Sequence, residues 1–448
     1  MFLASGGGEG ETALEEMNRH EEMNRPIVAW IGIDWADQKH DVSVYEVRTG
    51  RSERYEVRHT PEALQQWLGQ LRSQFRDGDV AVVLEQGRGA LLNVLMSCEF
   101  LVLYPINPKS LSNYREALYG SGAKSDPVDA ELMQEMVRHN PGRFRAWRPD
   151  DVLTRSLRLL TEGRRNLVDE STALTNRLTS LLKGYYPQAL RWTGTLDTEW
   201  ACDFLQQWPT LQSLQRSRRQ QIVRFYERHP RASVDLEQQL IEFEEARPLT
   251  QDAAVLEYST LMVQALIPQL RALIASIADF DRKIAEVFRK HPDRPIFESF
   301  PGAGAALAPR LSAAFGADRD RFDAATEVQQ LMGIAPVTEQ SGKKRWVHWR
   351  FGCPKFMRQS FHEFADHSRR WCPWAKAYYQ LQIQRGKEHH AAIRALAYKW
   401  IRILFRCWKD RVPYREEVYS KSLIQHQSPL ATMILAVGVD RPRAMSTR

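Results

Sequence analysis

The stretch "IVAWIGIDWADQKHDVSVYEV" (residues 27–47) decides the fold of the N-terminal part of this chain. Its first half, "IVAWIGID", is an apolar run that ends at Asp34 and predicts a buried strand. "HDVSVYEV" predicts a second strand after a short polar loop, and "RYEVRH" (residues 54–59) predicts a third. Three strands so closely spaced indicate a meander.

Helices then begin to alternate with strands. "PEALQQWLGQLRSQF" (61–75) predicts an amphipathic helix, and "DVAVVLE" (79–85) predicts a strand that ends at Glu85. A helix is expected from about Ala90, followed by the strand "LVLYPI" (101–106). Strands that run into helices after an initial meander predict a mixed α/β sheet covered by helices, which we assign to residues 26–148.

Composition limits the class of protein. A chain of 448 residues is too long for one compact core and predicts two or three domains. We find no apolar run long enough to cross a bilayer and no secretory signal, so no membrane partner is expected. The 5 scattered cysteines fit a reducing cytoplasm. The net charge of +7 indicates a polyanionic partner only weakly.

The remaining segments differ in character. Residues 1–25 read as a disordered leader, and residues 416–448 form a tail with one apolar patch. Residues 149–292 contain two long amphipathic helices with leucines near heptad spacing, which predict an antiparallel pair within the chain or a dimerising coiled coil. Residues 293–415 form a basic module rich in aromatic residues. The structure of residues 195–250 does not follow from the sequence.

Carboxylates form the first candidate site. Asp34 and Glu85 end two strands, and "SDPVDA" (125–130) adds Asp126 and Asp129. Taken alone, Asp126 is a good N-cap before Pro127, with Asp129 placed to close a capping box. The four acids can also meet at one edge of the sheet, where they would repel one another unless cations neutralise them. Oxygen ligands suit Mg²⁺ or Mn²⁺, and such metal pairs serve phosphoryl transfer.

A glycine turn forms the second candidate site. "FESFPGAGAALAPRLSAAFG" (297–316) predicts two helices joined by a tight turn that contains Gly302 and Gly304. Glycine at these positions would let backbone N–H groups approach a phosphate at the start of the second helix. A plain connection between two helices is the alternative.

A serine followed by cations forms the third. Ser341 precedes Gly342 in a segment that we expect to be flexible, and serine is a poor nucleophile until it is positioned and deprotonated. The cations that follow are expected to bind nucleic acid: Lys343, Lys344, Arg345, Arg350, Lys355 and Arg358. A Ser-Gly pair is more often an ordinary turn. The interleaved aromatic residues, such as Trp346, Trp349 and Trp371, suit either stacking on bases or a core.

Four of these stretches closely resemble the DEDD-type transposases of bacterial insertion sequences, the recombinases guided by a bridge RNA. They are "WIGIDWADQKHDVSVYEV", "LEQ", "NPKSLSNYREALYGSGAKSDPVDAELM" and "MGIAPVTEQSGKKR". The resemblance covers about residues 26–415. It departs where Lys343 follows Gly342, because many relatives have a second glycine there, and at Cys353, where an acidic residue is more usual.

The resemblance implies a fold and a set of roles. It implies a RuvC-like N-terminal domain of the ribonuclease-H-like fold, a coiled coil, and a mainly helical transposase domain with a helix-hairpin-helix unit. It matches Asp34, Glu85, Asp126 and Asp129 to the family's metal-binding D-E-D-D set, but not Asp37 or Asp41. It makes Ser341 the nucleophile that forms a covalent phosphoserine link with DNA.

The leading hypothesis is therefore a cytoplasmic, nucleoid-associated, RNA-guided DNA recombinase. Its expected partners are donor and target DNA, a guide RNA and further copies of itself in a homodimer or homotetramer. The alternative is a metal-dependent, structure-selective DNA nuclease similar to a Holliday-junction resolvase, which leaves Ser341 without a role. An actin-like nucleotide-binding protein would need a second Gly-rich phosphate loop, which the helical middle does not offer. A non-catalytic adaptor that binds RNA or DNA also remains.

Overall fold

A computed structural model describes residues 25–85, 89–119, 126–229, 235–426, 428 and 430 of the chain. The chain divides into two compact units, residues 1–151 and 152–448. Apart from Arg25, the predicted disordered leader lies outside the described residues, and so does the apolar patch of the tail beyond Leu430.

The first unit is built on a five-stranded sheet with the strand order β3-β2-β1-β4-β5. The strands are β1 (Ile27–Asp34), β2 (Lys39–Glu46), β3 (Ser52–Arg58), β4 (Asp79–Leu84) and β5 (Leu101–Pro105). Strands β1, β2 and β3 form the predicted meander with antiparallel pairing, whereas β4 and β5 run parallel to β1. The predicted mixed sheet is confirmed, and its order is consistent with a ribonuclease-H-like domain.

Four helices accompany this sheet in the described part of the first unit: α1 (Pro61–Gln74), α2 (Ala90–Leu95), α3 (Pro108–Leu118) and α4 (Asp126–His139). Helix α1 starts where the Thr60 side chain accepts a hydrogen bond from the Ala63 backbone N–H, at 3.3 Å. Helix α3 starts in the same way at Asn107, which caps the N–H of Lys109 at 2.9 Å. A polar cap followed by proline thus sets both helix starts.

The two faces of β1 pack against different helices, because alternate side chains of a strand point in opposite directions. Ala29, Ile31 and Ile33 are buried in the cluster that includes the apolar residues of α1 and α2. Trp30 belongs to the cluster that includes those of α4. The alternation therefore places Gly32 and Asp34 on the α4 face.

Gly32 is the point at which α4 crosses β1. A Cβ atom on this glycine would lie 1.8 Å from the carbonyl oxygen of Ala130 and 3.1 Å from the backbone nitrogen of Gln134. Both atoms belong to the backbone of α4, so they cannot move aside as a flexible side chain would. The absence of a side chain at residue 32 is what allows the helix to lie against the strand.

The second unit is mainly helical. Its first part contains α5 (Val152–Tyr185), α6 (Pro187–Thr193), α7 (Glu199–Gln207), α8 (Leu211–Gln215), α9 (Arg219–Arg228), α10 (Leu236–Glu245) and α11 (Ala253–Lys290). Its second part contains α12 (Arg294–Glu298), α13 (Gly304–Phe315), α14 (Ala325–Leu331), the strands β6 (Val337–Ser341) and β7 (Lys344–His348), α15 (Lys355–Trp371), α16 (Pro373–Gln384), α17 (His389–Lys409) and α18 (Glu416–Gln425). Short 3₁₀ turns lie at Pro141–Arg143 in the first unit and Arg319–Arg321 in the second.

Helices α5 and α11 form an antiparallel pair within the chain. Thr154 near the start of α5 hydrogen-bonds His291, just after α11, at 3.0 Å. Nearly three turns further along α5, Arg164 donates to Asp281 at 2.9 Å. The two long helices predicted from leucine spacing are confirmed, and they pack on each other. Their use in dimerisation stays a prediction.

Helix α11 corrects one expectation from the sequence. By length and composition it is apolar enough to cross a membrane, contrary to the expectation from the sequence. One helix of this kind does not by itself indicate a membrane span. Val263, Leu266, Ile267 and Leu270 of this helix are buried among protein side chains.

The segment between the long helices, which the sequence left open, folds as the short helices α6–α10. Their core is aromatic: Trp200 packs on Phe225 with 4.9 Å between ring centroids, and Trp192 packs edge-on against Phe243 at 4.5 Å. The second part of the unit has its own core around Trp400, which contacts Trp374 at a centroid distance of 4.4 Å. One face of α17 is buried there, including Ile393, Leu396 and Ile401, whereas Phe405 is only partly buried.

Replacing Gly32 tests the crossing of helix and strand. Gly32→Ala is expected to lower the free energy of unfolding by about 1–3 kcal/mol, the usual penalty for overpacking. The reason is that the backbones of β1 and α4 cannot move apart as flexible side chains would. Gly69→Ala is the matched control, since residue 69 lies exposed on α1 with open space around it. The control should raise stability by about 0.5–1 kcal/mol. Chemical denaturation measures both, and equal stability of the two variants would refute the crossing.

Candidate catalytic site

Three of the predicted acids come together at the end of β1. Asp34 is the last residue of that strand, and Asp126 and Asp129 lie in the first turn of α4. One carboxylate oxygen from each lies within 4.8 Å of the others. Asp129 is buried, Asp34 is half-buried and Asp126 is exposed. Such a group of hard oxygen donors fits a divalent cation.

The start of α4 differs in detail from the prediction. The helix begins at Asp126 itself, which was predicted to be the cap before it. Among the described residues, the Asp129 carboxylate bonds a guanidinium and does not close a capping box on the backbone. Both acids still lie in the first turn of the helix.

Arg115 of α3 is a site residue that the sequence analysis missed. Its Nε and Nη2 lie 2.8 Å and 2.6 Å from the same oxygen of Asp129, Oδ1. Both side chains are largely buried, so the guanidinium supplies the countercharge that a buried carboxylate needs. Because both donors go to Oδ1, the second oxygen of Asp129 accepts no hydrogen bond within the described residues. It is available as a metal ligand.

Glu85 lies beside the group without belonging to it. It follows directly after β4, whose Leu84 is in register with Ile33 of β1, so Glu85 comes level with Asp34 on the neighbouring parallel strand. Its carboxylate is not part of the group whose oxygens meet within 4.8 Å. The role of Glu85 as a fourth metal ligand stays a prediction.

Asp41, which the sequence analysis had set aside, is close to the acids. It is the direct cross-strand partner of Asp34 in the β1–β2 pair. Burial raises the pKa of its carboxyl, and the neighbouring charges of Glu56 and, more weakly, Asp126 raise it further. A signal for this proximity was present in the sequence, because a meander must pair the end of its first strand with the start of its second. Together with Asp41 the site holds four carboxylates, and the charge of Lys39 opposes part of their effect on Asp41.

Ser341 lies in the second unit, at the end of β6. The segment that we expected to be flexible is a regular hairpin, in which Ser341 pairs with Lys344 and Val337 pairs with His348. Gly342 has a φ of 57° and opens the two-residue turn, as glycine does in tight hairpins. The predicted turn at Ser-Gly is thus present, and it holds the serine exposed at the tip of the hairpin.

The hairpin carries its own polar network. Glu339 accepts hydrogen bonds from Trp346 Nε1 at 2.8 Å and from His348 Nε2 at 2.6 Å. The carbonyl of Trp349 and then the Glu339 carboxylate raise the pKa of His348, while His348 lowers the pKa of Glu339. These bonds join the two strands on the face that carries Glu339.

Arginines hold the base of the hairpin. The guanidinium of Arg394 lies 3.4 Å from the ring centroid of Trp349, and that of Arg358 lies 5.5 Å from it. Arg358 also donates to the carbonyl of Arg350 at 3.4 Å. Arg394, which lies on α17, therefore anchors the hairpin to that helix. The predicted nucleic-acid contacts of Arg350 and Arg358 stay untested, but both are half-buried.

The absence of a side chain at Gly333 allows the backbone after α14 to lie against Cys353. A Cβ on Gly333 would lie 2.2 Å from the sulfur of Cys353, which hydrogen-bonds the Arg350 carbonyl at 3.4 Å. Position 353 is one of the two departures from the transposase pattern, and the structure gives its side chain a packing role. The segment from β7 to α15 is thereby held against the turn after α14.

The glycine turn before α13 forms as predicted, but its two glycines differ. Gly302 has a φ of 81°, and a Cβ there would lie 3.0 Å from the backbone of His367 and Ser368 in α15. Gly304, with a φ of 53°, starts α13 and has open space around it. Close packing of helices therefore explains Gly302 without any phosphate, whereas Gly304 leaves the helix N-terminus accessible. DNA binding by this turn stays a prediction.

Comparison with known proteins identifies relatives of both units. Residues 31–187 match the family model DEDD_Tnp_IS110, described as a transposase, and residues 294–380 match the model of the transposase IS116/IS110/IS902 family. The mini-circle IS117 protein of Streptomyces coelicolor is 27% identical over 411 residues, which cover 89% of this chain and 98% of the relative. A 42 kDa protein of the insertion element IS900 of Mycobacterium paratuberculosis is 25% identical over 88% of this chain and 98% of its own length.

The acid group can be tested by metal binding. Asp126→Asn is expected to weaken Mn²⁺ binding at least tenfold, because even outer partners of metal ligands are typically worth about 10–100-fold in affinity. Asp37→Asn is the control, since Asp37 is an exposed acid just beyond β1 that stands outside the group. Titration of Mn²⁺ followed by electron paramagnetic resonance measures both. Equal affinities in the two variants would show that Asp126 is not a ligand.

The His348–Glu339 pair predicts a pH dependence of the hairpin. Because the pKa of His348 is raised in the folded chain, the pair stabilises the hairpin fully below the ordinary histidine value of about 6.5. This stabilisation is lost as the pH rises through the raised value. NMR titration of the ring should place the His348 pKa above about 6.5, and Glu339→Gln should lower it. Glu298→Gln, on α12, should leave it unchanged; the same shift in both variants would disprove the pairing.

Proposed function

We propose that this chain, which belongs to the IS110/IS116/IS902 family of transposases, recombines DNA through the combined action of its acid group and Ser341. The observation that carries the proposal is the convergence of Asp34, Asp126 and Asp129 at the end of β1. A transposase acts on DNA, so the substrate of these groups is a phosphodiester.

The acids provide the electrostatic part of the reaction. When bound by Asp34, Asp126 and Asp129, with Glu85 alongside, a divalent cation such as Mg²⁺ or Mn²⁺ offsets the charge on the reacting phosphate. Arg115 holds Asp129 in place through Oδ1. Asp126 and Asp129 lie on the first turn of α4, which directs both carboxylates toward the end of β1. The contact between Gly32 and Ala130 keeps all three acids in one arrangement.

Ser341 provides the covalent part. Its hydroxyl oxygen attacks the phosphorus, so that a bond forms between Oγ and phosphorus while the bond to the oxygen of the departing strand breaks. The proton of the serine hydroxyl ends on that departing oxygen. The phosphoserine link keeps the energy of the phosphodiester, and attack by a second strand's hydroxyl then rejoins the DNA and frees the serine. Its exposed position at a hairpin tip suits attack on a large substrate.

The finer partners also form part of the proposal. Sequence choice would come from a guide RNA that pairs with donor and target DNA, as in other RNA-directed enzymes. Protomers would assemble as a homodimer or homotetramer, with the acids of one acting with the serine of another. The exposed cations Lys343, Lys344, Arg345 and Lys355 suit contacts with the nucleic-acid backbone.

A covalent adduct distinguishes the recombinase from a nuclease. Wild-type protein incubated with a DNA substrate that traps the intermediate should run as a protein–DNA adduct in denaturing gels, and Ser341→Ala should abolish it. Thr338→Ala, which removes a hydroxyl from the same strand, should retain it. DNA cleavage without any adduct in the wild type would favour the structure-selective nuclease, which needs the acids but not the serine.

A conservative substitution tests the role of the buried acid, Asp129. Asp129→Asn should leave α4 largely folded, by circular dichroism, while abolishing strand exchange, because it removes a charged ligand but keeps the side-chain shape. Strand exchange at the wild-type rate would refute the role of Asp129.

Sequencing of the nucleic acid that co-purifies with the protein tests the guide RNA. One discrete RNA encoded beside the gene is expected, and its absence would refute guidance without touching the adduct result.

A further inference from the structure

The hairpin separates cations that the sequence presents as equivalent. Six cationic residues follow Ser341 within eighteen positions, namely Lys343, Lys344, Arg345, Arg350, Lys355 and Arg358. Lys343 lies in the turn, and Lys355 starts α15. The side chains of Arg350 and Arg358 lie at the base of the hairpin, where Arg358 contacts Trp349 and the Arg350 carbonyl. Lys344 and Arg345 remain as the candidates on the strands themselves.

The contacts of Glu339 identify which side chains share a face of the hairpin. Glu339 bonds both Trp346 and His348 across the strands, so these three side chains project to one side. Ser341 lies two residues after Glu339, and Lys344 lies two residues before Trp346. Since side chains alternate along a strand, Ser341 and Lys344 project to this same side.

Lys344 is the direct cross-strand partner of Ser341. In such pairs the Cβ atoms are about 4.5–5.5 Å apart, and the long lysine side chain can reach well beyond the serine oxygen. Arg345 pairs with Gln340 and therefore projects to the opposite face. Two adjacent residues of equal charge thus differ in one respect, the side of the hairpin on which they lie.

The ammonium of Lys344 is available to a ligand. The side chain is exposed, and it makes no ion pair within the described part of the chain. Glu339 is the acid on the same face, and both of its oxygens accept hydrogen bonds from other residues, Trp346 and His348. A phosphate beside the Ser341 hydroxyl would therefore meet a cation that no carboxylate within this hairpin neutralises.

We propose that Lys344 is a catalytic residue of the serine step, in which its ammonium contacts the scissile phosphate while Ser341 attacks it. This role rests on the proposed function, since it requires Ser341 to be the nucleophile. As the Oγ–phosphorus bond forms and the bond to the departing strand breaks, negative charge builds on the phosphate oxygens, and a fixed cation stabilises that charge. Lys344 gives up no proton in this step. Arg345 contributes only to general attraction of DNA.

A matched pair of variants tests this assignment. Lys344→Ala and Arg345→Ala each remove one positive charge from adjacent positions, so both should weaken DNA binding and its salt dependence to a similar small extent. The rate of adduct formation, measured with DNA at saturation, should fall about 10²–10³-fold for Lys344→Ala, as when one donor to a developing oxyanion is lost. Arg345→Ala should slow adduct formation far less than Lys344→Ala does, and Lys344→Arg should recover most of the rate because it retains the charge.

A modified DNA distinguishes direct contact from a structural effect. A methylphosphonate at the scissile position replaces a charged phosphate oxygen with a methyl group, so Lys344→Ala should lose its rate defect relative to wild type on this substrate. A defect of the same size on both substrates would mean that the variant acts by disturbing the hairpin, and would overturn the proposal.

Two further results have separate meanings. Equal adduct rates for Lys344→Ala and Arg345→Ala on ordinary DNA would also overturn the assignment of Lys344, while leaving Ser341 as the nucleophile. If the wild type forms no adduct at all, the proposed function itself fails. Circular dichroism of each variant, together with the NMR titration of the His348 ring, checks that the hairpin remains folded.

Discussion

The close approach of the α4 backbone to β1 at Gly32 is the constraint on which the acid group depends. The carbonyl of Ala130 occupies the space of a side chain at residue 32, and no other residue type leaves that space empty. Asp34 lies two residues further along the strand, and Asp129 directly precedes Ala130. One backbone contact therefore positions acids from two elements that are almost a hundred residues apart in the chain. A well-packed contact of this kind has little freedom to shift.

Charge balance around the acids explains their different burial. Asp129 is the most buried and has Arg115 as its partner, which satisfies the need of a buried carboxylate for a countercharge. Asp126 is exposed and Asp34 is half-buried, and the pKa of nearby Asp41 is raised by burial and by neighbouring acids. Arg115 and the nearby ammonium of Lys39 offset part of this negative charge. A bound cation is the simplest way to complete the balance.

The hairpin that carries Ser341 is exposed, unlike the acid group, which lies where α4 packs on β1. It is a short exposed ribbon whose rigidity comes from cross-strand bonds at Glu339 and from the stacking of Arg394 on Trp349. A nucleophile for DNA must be accessible to a bulky substrate, which excludes a buried position. Although the hairpin is exposed, its regular strand register fixes which side chains lie on the same face as Ser341.

The sequence by itself determined the elements of the sheet and the two long helices, and it singled out Asp34, Asp126 and Asp129 as acids that can meet, together with Glu85, which the structure leaves outside their group. These features are local, since burial repeats with the period of each element and acids at strand ends must gather at one edge. Only the tertiary structure showed the role of Gly32, the partner of Asp129, the packing of Gly302 and the hairpin at Ser341. Each of these depends on how close two distant backbones come or on strand register, and such distances follow from packing, which local periodicity does not encode.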